Sequence, residues 1–368
     1  MRYQLFLLLF IFSVKSFANN PIANDPDTLT NTKQPKYLLF PFFLKSPETS
    51  LGFGLAGAHF FKAKKHVASD RTSDISLIGL YTLRKQVVIA FNSTIYFRGE
   101  NQILRAQVSN SYYPDRFWGL GNATINEAKE NYSYRQYFVN PQFLFRIKHK
   151  FYLGINADYQ RVYDLDYLAG GAFDKEQILG RTGSRVAGLG ALATWDTRNS
   201  AYSPDAGSFA EISSTVYSSS ILGDYRFTVH TFDIRDYRSV SHSTVIASQA
   251  YLRISSGDVP IRNLSLLGGS DMMRGYWKGR FADENLFAIQ TEVRQFLFWR
   301  LGVVAFSGVA QVADKVHSFG LADFHWACGA GLRIMVQKKD KLNLRVDYGI
   351  GQVEVSYSGS AEHSSAQH

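Results

Sequence analysis

The feature that most constrains this chain is the alternation of apolar and polar residues, which runs from Tyr37 nearly to the C terminus. Residues 342–350 read LNLRVDYGI, with apolar side chains at the even-numbered positions, and residues 151–160 alternate in the same way. Successive side chains of a β-strand point to opposite faces, so each segment would have one apolar and one polar face. Since helical periodicity is almost absent, the pattern predicts an all-β chain.

The alternating segments fit a membrane better than a soluble sandwich, although both structures alternate. Charged and amide side chains recur on the polar face in segment after segment, as a hydrated lumen requires. The segments run to about 10–13 residues, longer than the ~5–6 typical of soluble strands and right for a tilted crossing. Aromatic residues cluster at segment ends, where interfacial girdles would place them. They are Tyr81, Tyr112, Tyr113, Tyr163, Phe296, Phe298 and Trp299. We therefore expect a transmembrane antiparallel β-barrel.

The number and spacing of the segments predict the topology of this barrel. About sixteen segments can be counted, an even number as in bacterial single-chain barrels. Long connections follow odd-numbered segments, and the connections after even-numbered segments are mostly short. Outer-membrane barrels place long loops outside and short turns in the periplasm, with both termini on the periplasmic side. The predicted segments are 38–46, 51–62, 74–84, 87–98, 101–112, 132–147, 150–163, 185–197, 207–219, 224–238, 242–256, 285–298, 301–313, 325–337, 342–350 and 352–360.

The first residues resemble a secretory signal peptide. Arg2 gives a positive start, residues 5–14 are apolar except for Ser13, and Ser16 and Ala18 are small residues at the cleavage positions. We expect cleavage after Ala18 and delivery of the mature chain to the bacterial outer membrane. The predicted domains are a signal peptide at 1–18, a flexible periplasmic lead-in at 19–36, the transmembrane barrel at 37–360 and a C-terminal tail at 361–368.

Charge and residue usage limit the possible functions. Lys+Arg number 40 and Asp+Glu 31, and the basic residues are scattered, so anionic lipid head groups are better partners than nucleic acid. A G-x-G-x-x-G pattern at 52–57 is followed by alternation instead of the helix that a dinucleotide fold needs. The nine histidines show no paired metal-ligand spacing. We expect a non-enzymatic protein without metal or cofactor, in which the single cysteine, Cys328, is packed.

The connection at 257–284 does not have the composition of an ordinary outside loop. It carries many apolar side chains and therefore has to pack against something. We predict that it folds inward and plugs the lumen, which would bring Arg274 inside, where a guanidinium needs carboxylate partners. Glu292 and Asp347 lie on predicted lumen faces, and both are candidates. An outside loop whose apolar residues pack on one another is the alternative. These apolar residues are Leu264, Leu266, Leu267, Met272, Met273, Tyr276, Trp277 and Phe281.

Short patches in this loop and elsewhere resemble one family. In the loop, Leu267-Gly268-Gly269 is followed by Met273-Arg274-Gly275-Tyr276 and then by Gly279-Arg280-Phe281. The other patches are Lys45-Ser46-Pro47-Glu48-Thr49, Phe117-Trp118-Gly119-Leu120-Gly121-Asn122, Trp195-Asp196-Thr197-Arg198 with Pro204 and Gly207, Glu292-x-Arg294 and Gly329-x-Gly331-Leu332-Arg333. In this order they resemble the BamA/TamA outer-membrane superfamily, also called bacterial surface antigens, over residues 37–357.

The resemblance implies a sixteen-stranded barrel whose loop between strands eleven and twelve carries an Arg-Gly-aromatic tip inside the lumen. The loop motif would comprise Gly268, Gly269, Arg274, Gly275 and Tyr276. Its candidate lumen partners are Glu292, Arg294, Arg345 and Asp347. The family often pairs the arginine with an acidic residue in a Phe-x-Asp-x-Gly stretch. Residues 306–310 read FSGVA and lack that acid, so a pairing would use Glu292 or Asp347.

The resemblance also implies a function. Members of the family insert or translocate protein or lipid at the outer membrane, by thinning the bilayer and opening the barrel between its first and last strands. Since 18 residues separate the predicted cleavage site from the barrel, we expect a member without POTRA domains. Its partners would be outer-membrane lipid, client outer-membrane or secreted proteins and a separate periplasmic protein. The alternative functions are a passive diffusion pore and a surface antigen or adhesin.

Overall fold

The structure is a computed structural model that describes residues 36–62, 71–97, 99–175, 178–200, 203–337, 342–352 and 355–361. The predicted signal peptide, and nearly all of the predicted lead-in and tail, lie outside these residues. The strands are β1 (Lys36–Ser46), β2 (Ser50–Phe61), β3 (Ser73–Thr82), β4 (Val87–Phe97), β5 (Gln102–Phe117), β6 (Glu130–Lys148), β7 (Phe151–Tyr167), β8 (Ser184–Asp196), β9 (Gly207–Tyr217), β10 (Phe227–Ser239), β11 (Thr244–Gly257), β12 (Ser265–Leu267), β13 (Phe281–Asp283), β14 (Asn285–Phe298), β15 (Leu301–Ala313), β16 (His325–Gln337), β17 (Leu342–Gly351) and β18 (Val355–Ala361).

Among the residues that the structure describes, helical structure is confined to short pieces in the connections. One turn of α-helix, α1 (Ala172–Lys175), follows β7. The 3-10 turns are Asn126–Ala128, Ser219–Ile221, Ile261–Asn263, Val316–Ser318 and Leu321–Asp323. Among the described residues, no helix has the length and apolar character needed to cross a membrane.

Sixteen of the described strands form one antiparallel barrel sheet, in which neighbours along the chain are neighbours in space. β12 and β13 pair with each other as a separate two-stranded sheet, and β11 therefore pairs directly with β14. This confirms the predicted all-β barrel of about sixteen strands. It also confirms that the unusual connection lies between the eleventh and twelfth strands of the barrel.

The ring of strands returns to its start through a seam between β1 and β18. Within the described residues, the seam has one bridging pair, Lys45 opposite Gly359. By contrast, β1 pairs with β2 along its whole length, from Lys36 opposite Phe60 to Ser46 opposite Ser50. Because inter-strand hydrogen bonds and cross-strand side-chain pairs hold a sheet together, the seam is a weak junction.

Each strand divides its side chains between a lipid-facing and a lumen-facing side. On β17, Leu344, Val346 and Tyr348 are 43–59% exposed, whereas Asp347 between them is 1% exposed. The outer surface is therefore apolar and the lumen polar, as the sequence alternation predicts. The expectation that Cys328 is packed is wrong, because it shares the outward face of β16 with the exposed Trp326.

Two strands extend further at the end with the long loops than the sequence predicts. β5 continues to Phe117 and β7 to Tyr167, beyond the predicted ends at 112 and 163. Their ends stay paired through β6, as in the pair Tyr132–Tyr167. In this region the strands extend beyond the membrane, and their inward-facing aromatic side chains pack against the loops. The buried cluster at this end includes Phe117, Tyr132, Tyr134, Phe173, Tyr217, Phe227 and Val259.

Ion pairs cross the interior at the other end of the barrel. Arg71 Nη1 lies 2.6 Å from Asp196 Oδ2, and Arg105 Nη1 lies 2.8 Å from Glu211 Oε2. Arg105 is on β5 and Glu211 on β9, so this contact bypasses the strands between them. The side chains of both acids are 3% exposed. The lumen is therefore occupied by paired side chains in this region.

Candidate functional site

The connection at 258–284, called the inward loop below, enters the barrel as a hairpin. Its two arms pair as β12 and β13, with Leu267 opposite Phe281. Leu267, Met273 and Tyr276 are at most 1% exposed. They pack on side chains of the barrel wall, among them Ala288 of β14. The apolar residues of the loop are therefore covered by the lumen wall, as predicted, and do not form an outside loop packed on itself.

Two glycines shape the bend of the inward loop. Gly268 and Gly269 have φ values of 108° and 109°, a backbone conformation that residues with a side chain rarely adopt. A Cβ atom on Gly268 would lie 2.1 Å from the carbonyl oxygen of Trp277. The amide of Gly269 donates a hydrogen bond of 3.0 Å to the carbonyl oxygen of Tyr276. The glycine pair therefore allows the two arms of the loop to approach each other closely.

Arg274, at the tip of the inward loop, is held by two carboxylates. Its Nη2 lies 2.5 Å from Oε2 of Glu292, and its Nη1 lies 2.7 Å from Oδ2 of Asp347. The three side chains are 10%, 10% and 1% exposed. Burial alone would lower the pKa of the Arg274 guanidinium, but the two carboxylates outweigh burial and raise it. Such charge-assisted hydrogen bonds are among the strongest in proteins.

Two further arginines on the wall complete the cluster. Arg333 Nη1 lies 2.5 Å from Oδ1 of Asp347, and Arg333 Nη2 lies 3.4 Å from Oε2 of Glu292. Arg294 Nε lies 2.7 Å from Oε1 of Glu292. Each acid is thus shared between the loop arginine and an arginine of the wall. We call the four-residue centre of this cluster the Arg274 lock; it consists of Arg274, Glu292, Arg333 and Asp347.

The predicted partner residues divide into those that reach Arg274 and those that do not. Glu292 and Asp347 were alternatives at the level of sequence, and the structure uses both at once. Arg294 lies beside the lock through Glu292. Arg345 is directed elsewhere in the inward loop, with its Nη2 3.4 Å from Oδ1 of Asp271.

The lumen wall makes room for the lock at positions that lack side chains. A Cβ atom on Gly331 would lie 1.9 Å from Oδ1 of Asp347, so the carboxylate occupies the space of the absent side chain. A Cβ atom on Gly329 would lie 2.4 Å from Cζ of Phe306. The Phe306 ring in turn lies under Arg274, with 3.7 Å between the guanidinium carbon and the ring centroid. Phe306 belongs to the stretch that lacks the family's acid, and it contributes a cation–π contact.

The other two residues of the tip rest on β17 and its end. Gly275 has a φ of 136°, and a Cβ atom there would lie 2.8 Å from the β17 backbone. The hydroxyl of Tyr276 donates to the carbonyl oxygen of Trp326 at 2.8 Å and accepts from the amide of Gln352 at 2.8 Å. Its ring lies over Gly351, where a Cβ atom would be 2.6 Å from the ring. The tip therefore joins β16, β17 and the start of the last connection.

Replacing Tyr276 by Phe tests the contribution of this hydroxyl. We expect the barrel to lose about 1–2 kcal/mol of stability, because the carbonyl of Trp326 and the amide of Gln352 lose their partner. The measurement is urea unfolding in detergent, followed by the band shift of unheated samples. Tyr81, a lipid-facing tyrosine that is 53% exposed, supplies the matched control. Equal stability of Tyr276→Phe and Tyr81→Phe would show that the hydroxyl contributes nothing.

A second set of contacts holds the inward loop to the opposite side of the barrel. The ring of Trp277 has the guanidinium carbons of Arg116 and Arg84 at 4.1 and 4.9 Å from its centroid. Trp277 Nε1 donates to Oδ1 of Asp115 at 3.2 Å. Arg280 is 1% exposed and donates to Thr124 Oγ1 at 2.9 Å. The sequence indicates that the loop is buried, but no local pattern marks these partners, which lie at the end of β5 and on other connections.

The chemistry of this site is that of a structural lock. Both carboxylates of the Arg274 lock form salt bridges with arginines, which remain protonated under all ordinary conditions. In the part of the chain that the structure describes, no three His, Cys, Asp or Glu side chains are grouped so that they could hold a metal ion. The arrangement fixes a loop inside a barrel.

A polar-lined antiparallel barrel with an Arg-Gly-Tyr tip locked inside its lumen defines a class of bacterial outer-membrane proteins. The family model described as the Omp85 superfamily domain matches residues 75–356, and the chain belongs to the Omp85 superfamily. This confirms the resemblance to the BamA/TamA superfamily and indicates a bacterial outer-membrane protein.

Solved structures show the same fold. BamA from Haemophilus ducreyi lacking POTRA domains 1–3 has a TM-score of 0.58 at 14% identity, over 89% of this chain and 70% of that chain. CdiB from Acinetobacter baumannii has a TM-score of 0.57 at 11% identity, over 90% and 60% of the two chains. CdiB from Escherichia coli has a TM-score of 0.56 at 12% identity, over 91% and 63%. The chain thus spans less than two thirds of both CdiB chains. None of the curated protein sequences matches it.

Proposed function

We propose that this protein helps to insert or translocate protein or lipid at the outer membrane by opening between β1 and β18. The observation that carries the proposal is the seam, which in the described residues has the single pair Lys45–Gly359. Opening the seam would expose unpaired strand edges to the membrane. Such edges are templates on which another strand can pair. A client strand could therefore add to β1 or β18 before it leaves the barrel.

The occupied lumen supports an activity at the seam over passage through the middle. A sixteen-stranded barrel is wide enough for an aqueous channel when nothing fills it. Here the inward loop fills one region, and the pairs Arg71–Asp196 and Arg105–Glu211 cross another. These contacts disfavour the passive diffusion pore. We also propose that the signal peptide is cleaved after Ala18, and that the mature protein acts on client proteins together with a separate periplasmic protein.

A disulfide across the seam tests the proposal. The variant carries Lys45→Cys and Gly359→Cys, because these residues are opposite each other, and Cys328→Ser to remove the native thiol. The assay measures how fast liposomes containing the protein promote folding of an unrelated outer-membrane barrel. We expect the oxidised variant to lose this activity and the reduced variant to regain it.

The control disulfide joins two strands that are paired along their whole length. Ser214→Cys with His230→Cys links β9 to β10, whose register places these residues opposite each other. We expect full activity from this oxidised control. Equal activity of the oxidised seam variant would exclude opening at the seam. Steady conductance in planar bilayers that Arg274→Ala leaves intact would instead support a diffusion pore.

A further inference from the structure

The inward loop reaches both sides of the seam. On one side, Arg274 and Tyr276 contact Asp347 of β17 and Gln352 beyond it. On the other side, the amide of Lys278 donates a hydrogen bond of 2.8 Å to Oε1 of Glu48. β17 is the neighbour of the last strand, and Glu48 lies in the turn that joins β1 to β2. One loop thus spans the junction that the proposed function opens.

Glu48 is fixed where it can act on the first strand. Glu48 is 7% exposed, and its backbone carbonyl oxygen accepts a hydrogen bond of 3.0 Å from Nε2 of Gln86. Gln86 is 0% exposed and also donates to the carbonyl oxygen of Pro114 at 3.2 Å. The turn between β1 and β2 is therefore positioned by its neighbours, and the carboxylate of Glu48 connects it to the loop.

The attachment of the loop to β17 is stronger than its attachment to the turn between β1 and β2. The β17 side has a buried ion cluster, a tyrosine hydroxyl with two partners and the close fit of Gly275 on the strand backbone. The attachment at Glu48 is one hydrogen bond from a backbone amide to a carboxylate. If the seam opens, the loop is therefore expected to keep its contacts with β17 and those of Trp277 with β5, and to part from the turn between β1 and β2.

We propose that Glu48 is a latch that keeps β1 closed against β18 by holding the β1–β2 turn to the inward loop. The inference rests on the proposed function in that the latch controls opening of the seam, but it concerns the resting barrel and requires no client. Glu48 is a positioning residue, because it acts on β1 through Lys278 of the loop. Breaking the bond frees the end of β1 next to the turn. Lys45, which lies opposite Gly359 of β18, is at this end.

Hydrogen–deuterium exchange of the full-length protein in lipid nanodiscs tests the latch. In Glu48→Ala, we expect exchange in the peptide Lys36–Ser46 to rise about tenfold, as for the loss of one hydrogen bond to a charged acceptor. Glu48→Gln keeps a side-chain oxygen that can accept from Lys278, so its exchange should stay within about twofold of the wild type.

Glu130→Ala is the matched control, because the Glu130 carboxylate also accepts a hydrogen bond from the backbone amide of a loop residue, but far from the seam. Oε2 of Glu130 accepts from the amide of Phe173 at 3.2 Å. This variant should raise exchange near β6 and leave Lys36–Ser46 unchanged. Faster exchange around the whole barrel in Glu48→Ala, or no change in Lys36–Ser46, would overturn the latch. Since the readout involves no client, it can support the latch even where the folding assay overturns the proposed function.

Discussion

Arg274→Ala is expected to destabilise the barrel by about 3–5 kcal/mol, the usual effect of removing one partner from a buried ion pair. The substitution leaves Glu292 and Asp347 in place, with side chains that are 10% and 1% exposed. Arg333 still neutralises part of their charge, but the donors from the loop are lost. We expect the tip of the inward loop to detach from the wall while the sixteen strands remain formed.

Urea unfolding in detergent, read by the band shift of unheated samples, measures this loss. Arg238→Ala is the matched control, because Arg238 also pairs with an aspartate at 2.6 Å but its side chain is 78% exposed. Exposed pairs contribute at most about 1 kcal/mol. The loss of stability for Arg274→Lys should fall between those of the two alanine variants. Lysine keeps the charge, but it lacks the planar guanidinium that binds two carboxylates at once. A loss for Arg274→Ala no larger than for Arg238→Ala would show that the lock does not stabilise the fold.

Gly268→Ala is expected to be the second strongly disruptive change, with a loss of about 3 kcal/mol. The backbone conformation at a φ of 108° is unfavourable for alanine, which contributes of order 1–3 kcal/mol. The added methyl group would also lie 2.1 Å from the carbonyl oxygen of Trp277, and overpacking of this kind adds about 1–3 kcal/mol. The clash is with backbone, so no side-chain rotation relieves it.

Gly279→Ala separates the two contributions. Gly279 also has a positive φ of 79°, but a Cβ atom there would meet nothing closer than 3.5 Å. We therefore expect only the backbone contribution, about 1 kcal/mol, in the same unfolding measurement. Limited proteolysis should also cut the inward loop in Gly268→Ala and spare it in Gly279→Ala. If the two variants lose equal stability, the close approach of Gly268 to Trp277 is not a constraint on the fold.

The fold was predictable from the sequence because alternation and membrane thickness act on every strand independently. The segments at 285–298 and 301–313 match β14 and β15 at both ends. Prediction failed where a strand leaves the membrane. β5 and β7 continue as paired strands into the loop region beyond the membrane. There the outward side chains of β7, such as Asp164, are polar and exposed, so an apolar outward face no longer marks the strand.

The lock was only partly predictable, because its geometry depends on strand register. The composition of the loop indicated that Arg274 is inside, and alternation placed Glu292 and Asp347 on the lumen face. The sequence could not show that both acids are used, since this requires Gly331 to lie opposite Asp347 in the pairing of β16 with β17. The contact between Lys278 and Glu48 joins residues 230 positions apart, and no local pattern marks such a pair.

The glycines on the inner face of β16 and β17 mean that the lumen wall is incomplete without its loop. Gly349 and Gly351 of β17 leave spaces that the Arg274 backbone and the Tyr276 ring of the loop occupy. Gly329 and Gly331 of β16 make room for Phe306 and Asp347, on which Arg274 rests, so the loop and these strands share one packed layer. A transplanted loop would meet blocking side chains in a barrel of ordinary composition. The smallest exchangeable module for barrel engineering therefore contains the inward loop together with β14 to β17, cut at β11 and after β17. The host barrel also has to supply Asp115 and Arg116 for Trp277 and Glu48 for Lys278.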